Sequence, residues 1–282
     1  MADANISSLR QHKGRRQTVG VLKENTVGIL DSFRLDGKTA LVTGGGTGIG
    51  KAFAIALAEA GADVALIGRR SEPLEEVSKL IDSLGCKAMS ISADVKSKTQ
   101  VDDFTNQVVS EWGKLDIGVN NAGICFHTPT NQIEESEWDE VIDTNLKGPF
   151  LCAQAQARVM IPNSYGKIIN TASMSGRIIN RPQFQTHYNT SKAGLVHLTH
   201  SLATEWAEHG IYVNSISPGY IRTDMADTPE IAKMHPVWLR DTPVNRLGEV
   251  QDLTGALIFL ASDASNFVIG HDLVIDGGFT AW

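Results

Sequence analysis

The chain has 282 residues, 42% hydrophobic and 20% charged, enough apolar material for one large globular domain or two small ones. Its net charge of −7 argues against nucleic acid or an anionic membrane surface as a partner, because either selects a basic face. Cys86, Cys125 and Cys152 are odd in number, far apart and without metal-ligand spacing, which argues against a disulfide framework or a zinc site and points to a reducing, cytoplasmic compartment.

The first thirty residues hold five basic groups (Arg10, Lys13, Arg15, Arg16, Lys23) and two acids around no apolar segment. That excludes a secretory signal and leaves residues 1–32 as a flexible or subunit-interface arm, with a transit peptide as the alternative. No apolar run reaches the roughly 18 residues a membrane span requires.

From Lys38 onward short apolar runs alternate with longer amphipathic ones. "KTALVT" (38–43) reads as a buried strand, 50–62 as a helix stopped at Gly61, "DVALIG" (63–68) as a strand and 73–85 as a helix with a glycine stop. Strand 87–94, helix 98–113 and strand 115–123 follow. Two helices, about 134–145 and 145–161, precede strand 167–173. Then come a long helix over 188–208, strand 211–219, helix 249–261 and strand 271–278. Residues 222–247, rich in Pro, Asp and Thr, read as a surface lid. Apolar strands separated by helices imply parallel pairing with both sheet faces covered. The expected architecture is a doubly wound α/β (Rossmann) sheet of about seven strands in one domain, 33–282, with ligands at the carboxyl ends of the strands.

The first strand runs into "TGGGTGIG" (43–50), in which Gly44, Gly48 and Gly50 precede a helical pattern. Glycines let a backbone turn sharply and approach a pyrophosphate, and a helix N-terminus offers amides and partial positive charge to it. The second strand ends at Gly68, where a dinucleotide site places an acid for the ribose hydroxyls, and Arg69 and Arg70 follow. No carboxylate there repels a 2′-phosphate, and Arg69 supplies a bidentate partner for one, so NADP(H) is expected over NAD(H). Asp94 ends the third strand, placed to accept from an adenine amino group or to cap the next helix. "NNAG" (120–123) ends the fourth, as a close backbone approach to a ribose or simply as a turn.

In "THYNTSKAG" (186–194) Tyr188 and Lys192 are four residues apart, on one face of a helix. A phenol ionises near ~10, and a neighbouring ammonium lowers that value. Lys192 is therefore expected to bring Tyr188 toward the working pH as a proton donor to a carbonyl oxygen.

"TGGGTGIG", "NNAG", "TNLKG", "TASMSG", Tyr188-x-x-x-Lys192 and "SPGYIRTDM" occur in one order, and with them the chain resembles the short-chain dehydrogenase/reductase family over residues 33–282. The resemblance implies a catalytic set of Asn145, Ser175, Tyr188 and Lys192. In it Ser175 holds the substrate oxygen, with Ser173 its neighbouring alternative, and Asn145 orders a water behind Lys192. It implies cofactor contacts from Gly44, Thr47, Ile49, Gly50, Arg69, Asp94, Val95, Asn120, Ala122, Gly123, Tyr188, Lys192, Pro218, Gly219, Ile221 and Thr223, the last two toward the nicotinamide amide. It also implies a homotetramer or homodimer built on the long helices carrying Asn145 and Tyr188.

The segment between Ser175 and Tyr188 carries Asn180, Arg181, Gln183, Gln185 and His187, either a polar rim for a polyhydroxylated ketone or a run of solvent-facing side chains. The downstream motifs resemble the sugar and polyol branch of the family, that of mannitol dehydrogenases and sorbose reductases. The expected activity is interconversion of a small ketone and a secondary alcohol. The alternatives are a 3-oxoacyl thioester reductase, a gluconate-type dehydrogenase and, from another class, a non-catalytic dinucleotide sensor. His197 and His200 share a helix face without an acidic third ligand and read as packing or interface residues, so no metal is expected.

Overall fold

Strand β1 (Thr39–Thr43) is buried along its whole length and leads through the glycine turn into helix α1 (Gly48–Glu59). The chain then alternates: β2 (Asp63–Gly68), α2 (Ser71–Ser83), β3 (Ala88–Ser92), α3 (Lys98–Trp112) and β4 (Ile117–Asn120). Helices α4 (Glu135–Ile142) and α5 (Gly148–Met160) follow, then β5 (Gly166–Thr171), α6 (Thr186–Trp206) and β6 (Ile211–Pro218). The short helices α7 (Pro229–Ala232) and α8 (His235–Asp241), helix α9 (Thr254–Ala261) and β7 (Asp272–Ile275) complete the order. A computed structural model describes residues 28–223 and 228–282. The expected arm therefore lies mostly outside the described residues, as do residues 224–227 of the expected lid.

Among the described residues the strands form one parallel sheet in the order β3-β2-β1-β4-β5-β6-β7. β1 pairs with β2 on one side and β4 on the other, so the chain reverses its winding there and leaves a crevice at the strands' carboxyl ends. Apolar residues alternate along the strands between two cores. Ala40, Val42, Val64 and Leu66 meet α1, α2 and α9 through Phe53, Leu57, Leu74, Val77 and Leu257. Leu41, Ala65 and Ile67 meet α3, α5 and α6 through Val101, Phe104, Ala153 and Leu202. Truncating a fully buried leucine in such a core costs about 2–5 kcal/mol.

Helix ends follow the sequence signals. The Ser97 hydroxyl accepts the Gln100 amide at 3.4 Å to open α3, and Gly113, at φ 80°, closes it. The helices expected to meet at residue 145 are joined by a π-helical turn, Asp143–Lys147, with Asn145 at its centre. The helix expected over 249–261 begins one residue later, after the extended Glu249, and opens as a tighter 3-10 turn, Val250–Leu253, before α9.

Lys167, fully buried at the start of β5, donates to Asn266 Oδ1 at 2.8 Å and lies over the Tyr212 ring. Burial pushes its amine down to about 8. An unfolded lysine ionises near ~10.4, so between those values the unfolded chain holds a proton that the fold has lost, and stability rises with pH. Urea unfolding should show wild-type stability increasing from pH 8 to pH 10 relative to Lys167→Met. Parallel curves for the two proteins would disprove this.

Candidate active site

The crevice at the switch point is a cleft of about 570 Å³. Its floor is the turn after β1. Gly44 takes φ 67°, and a Cβ on Gly50 would stand 2.1 Å from the Gly44 carbonyl oxygen, so only glycine lets α1 start so close to the strand. The Thr43 hydroxyl accepts the Asn121 and Ala122 amides at 3.0 and 3.1 Å, which ties this turn to the end of β4. Gly44, Thr47, Gly48 and Ile49 line the cleft beside the bare N-terminal turn of α1.

Past β2, Arg70 lines the cleft, whereas Arg69 stands outside it and acts electrostatically on Lys96. Among the described residues neither guanidinium has a carboxylate partner. Arg70 thus joins Arg69 as a candidate for the expected phosphate ligand. A shift of one residue occurs past β4. Asn120 turns into the sheet, donating to Asn170 Oδ1 at 3.0 Å and accepting from Gln156 Nε2 at 2.9 Å, while Asn121, Ala122 and Gly123 line the cleft. Strand alternation sends the side chain of residue 120 inward and leaves the turn to those that follow.

Gly50, Asp94 and Val95 are also absent from the lining. Asp94 Oδ1 accepts the Lys96 amide at 2.9 Å and holds its own turn, and Val95 packs close to Gly148.

The opposite wall comes from β5, the turn Met174–Gly176 and α6. Arg177 Nε donates to Asp272 Oδ2 at 2.6 Å, and the Ser215 and Ser217 hydroxyls donate to its other oxygen, clamping that turn onto β6 and β7. Ser175 is held 3.0 Å from the Ser173 hydroxyl, and both line the cleft together with Tyr188. Ser173 therefore shares this wall with the two expected catalytic hydroxyls. Its position two residues past β5 and two before Ser175 was the only sign of it.

Lys192 Nζ donates to the Thr171 carbonyl at 2.7 Å and sits 5.6 Å from the Tyr188 ring centre. Burial pushes the phenol up, keeping it protonated, and pushes Lys192 down to about 8. The expected lowering of Tyr188 by Lys192 is thus not found. The amine is engaged by a backbone oxygen, and desolvation acts on both groups.

Asn145 does not reach the cleft wall. Its amide accepts the Ile124 N–H and donates to the Ile124 carbonyl, both at 2.8 Å, and reaches Ser191 at 3.3 Å, latching the loop after β4 to α6. Pro218, Gly219, Ile221 and Thr223 close the far end of the cleft, with Ile231 and Trp238 of α7 and α8 above.

Asn180, Gln183 and Gln185 are buried in that wall rather than turned to solvent. His187 is also buried but bonds Glu137 at 2.9 Å, away from this wall, and exposed Arg181 pairs with Asp241. His197 and His200 meet edge to face. Among the described residues no three His, Cys, Asp or Glu side chains gather as a metal would require.

The cleft suits an extended dinucleotide. Its floor would be blocked by a single Cβ, Arg70 and Thr171 line it, and among the described residues the guanidinium has no carboxylate partner and the buried Thr171 hydroxyl no hydrogen-bond partner. A glycine floor at a switch point, with a buried phenol, hydroxyl and amine across from it, defines a class: doubly wound dinucleotide-binding oxidoreductases.

The sequence profile of a family described as enoyl-(acyl carrier protein) reductase matches residues 44–280. A galactitol 2-dehydrogenase of Rhizobium johnstonii is 43% identical over 252 residues, 89% of this chain and 98% of that protein. A sorbose reductase of Candida albicans is 42% identical, with 89% and 90% covered. An NADP-dependent mannitol dehydrogenase of Hypocrea jecorina is 40% identical, with 89% and 96% covered. The crystal structure of a short-chain type dehydrogenase/reductase from Mycobacterium marinum superposes with a TM-score of 0.88 at 47% identity, covering 90% of this chain and all of that one. The chain belongs to the short-chain dehydrogenase/reductase family.

Proposed function

We propose that the protein is an NADP(H)-dependent oxidoreductase that interconverts a ketose-like ketone and the corresponding secondary alcohol. The observation that carries this reading is the convergence of Ser173, Ser175, Tyr188 and Lys192 on the wall opposite the glycine floor. The nicotinamide group, when bound, supplies or accepts the hydride. The Ser175 hydroxyl holds the substrate oxygen, and Tyr188 gives it a proton on reduction. Lys192, free of carboxylate partners among the described residues, binds ribose hydroxyls and favours the phenolate that remains. Asn145 keeps the loop after β4 in place behind Lys192.

Arg70, with Arg69 beside it, holds the 2′-phosphate. The name of the mannitol dehydrogenase relative supports that preference. The buried amides of Asn180, Gln183 and Gln185 favour a hydroxylated substrate over the acyl chain of a thioester. Residues 222–247 act as a lid, supported by Ile231 and Trp238 on the cleft wall.

Exposed Trp138 and Phe150 flank the helices around Asn145, and Phe267, Ile269 and Trp282 lie near the edge strand β7. These two faces support a homotetramer, with residues 1–32 as an arm on a neighbouring subunit. Among the described residues no helix is long and apolar enough to cross a membrane, and the free cysteines fit a cytoplasmic setting.

The test is NADPH oxidation across ketoses, simple ketones and acetoacetyl thioesters. Turnover is expected with ketones, ketoses foremost. Tight NADPH binding with no turnover on any of them would instead mark a sensor, and preference for the thioester would move the substrate class.

A further inference from the structure

The wall between Ser175 and α8 is a chain of amides whose orientations are fixed by their neighbours. The Trp238 indole N–H can only donate, and it donates to Gln183 Oε1 at 3.2 Å. That turns Gln183 Nε2 toward the Tyr220 hydroxyl, at 3.2 Å. Gln185 Nε2 lies among three oxygens, those of Ser175 (3.3 Å), Asn180 Oδ1 (3.2 Å) and Asn189 Oδ1 (2.9 Å). With its oxygen thus accepting, Asn180 presents Nδ2 to Tyr220, at 3.1 Å.

Two groups at the ends of this chain keep capacity in reserve. The Tyr220 oxygen accepts from two amides, which uses its lone pairs and leaves its own proton without an acceptor among the described residues. Its ring is held by stacking on Trp238 (3.9 Å, 8°) and by an edge contact with Phe279. Among the described residues Gln185 Oε1 has as its only donor the Cys125 thiol, at 3.9 Å. Buried carbonyls of this kind ordinarily find a full-strength donor. Both residues line the cleft, and Gln185 touches the hydroxyl assigned to the substrate oxygen.

We propose that Gln185 and Tyr220 are the specificity-determining pair of this enzyme. The Gln185 carbonyl accepts from a hydroxyl on the carbon next to the reacting carbonyl, and the Tyr220 hydroxyl donates to a more distant oxygen of the same polyhydroxylated chain. This rests on the ketone-reductase reading above. It accounts for a wall that spends three amides and an indole on orienting one donor and one acceptor. A ketone without hydroxyls leaves both unpaired, and a site built to hydrogen-bond a substrate hydroxyl rejects the analogue lacking it.

The experiment compares kcat/KM for D-fructose and for 2-hexanone, with NADPH, in wild type, Tyr220→Phe and Gln185→Met, each checked for folding by thermal melting. The fructose-to-hexanone ratio is expected to fall about tenfold or more in each folded variant, mainly through KM. Equal losses on both substrates, or an unchanged ratio in the folded variants, would overturn the assignment. Wild type that reduces 2-hexanone but not fructose sinks this inference alone. Wild type that reduces neither sinks the ketone-reductase reading and this inference with it.

Discussion

Tyr188→Phe is expected to lower kcat for ketone reduction by about 10³-fold, within the 10²–10⁴ range for a lost general acid, or ~4 kcal/mol of barrier. Phenylalanine keeps the ring, and with it the packing of α6 against the turn carrying Ser173 and Ser175. What it removes is the proton that burial holds on the phenol. The dissociation constant for NADPH is expected to change less than about tenfold, because the glycine floor and Arg70 are untouched. The direction of the Tyr188 shift adds a pH signature. A phenol pushed up stays protonated through neutral pH, so reduction holds its rate there, whereas alcohol oxidation, which requires the phenolate, accelerates as pH rises. Turnover retained in the variant, or lost only in parallel with NADPH binding, would refute the role of Tyr188.

Arg70→Ala should weaken NADPH binding by roughly 10- to 150-fold, the loss of one charge-assisted hydrogen bond at about 1.5–3 kcal/mol, while NADH changes less than about threefold. Arg69→Ala should discriminate less, because that side chain lies outside the cleft and shares its field with Lys96. The converse change, Gly68→Asp, is sterically permitted. The atoms nearest to a Cβ there belong to Leu74, at 3.4 Å or more, an ordinary contact distance. The new carboxylate would repel the 2′-phosphate and offer acceptors to ribose hydroxyls, moving preference toward NADH. Competitive titration of the two nucleotides by fluorescence reads all three variants. Equal losses for NADPH and NADH in Arg70→Ala would remove the phosphate assignment.

What the sequence determined by itself was everything set by local periodicity. The seven strands, the glycine turn and the Tyr188–Lys192 spacing on α6 all follow from residues within one turn, or a few positions, of each other. Even the break at Asn145 was visible, as the point where two helical patterns met.

Side-chain direction was decided only in the tertiary structure, because it depends on partners distant in the chain. Adjacent arginines look alike until the cleft wall takes Arg70 and leaves Arg69 outside. Asn120 and Asn121 differ because Gln156 and Asn170 draw the first inward and Thr43 holds the second. Composition alone left Asn180, Gln183 and Gln185 free to face solvent; Tyr220 and Trp238, about forty to fifty residues on, turned them into a buried wall. The balance between Tyr188 and Lys192 was likewise a matter of folding. Spacing predicts that a phenol and an amine meet, but desolvation, which belongs to the assembled cleft, decides which way each proton equilibrium moves.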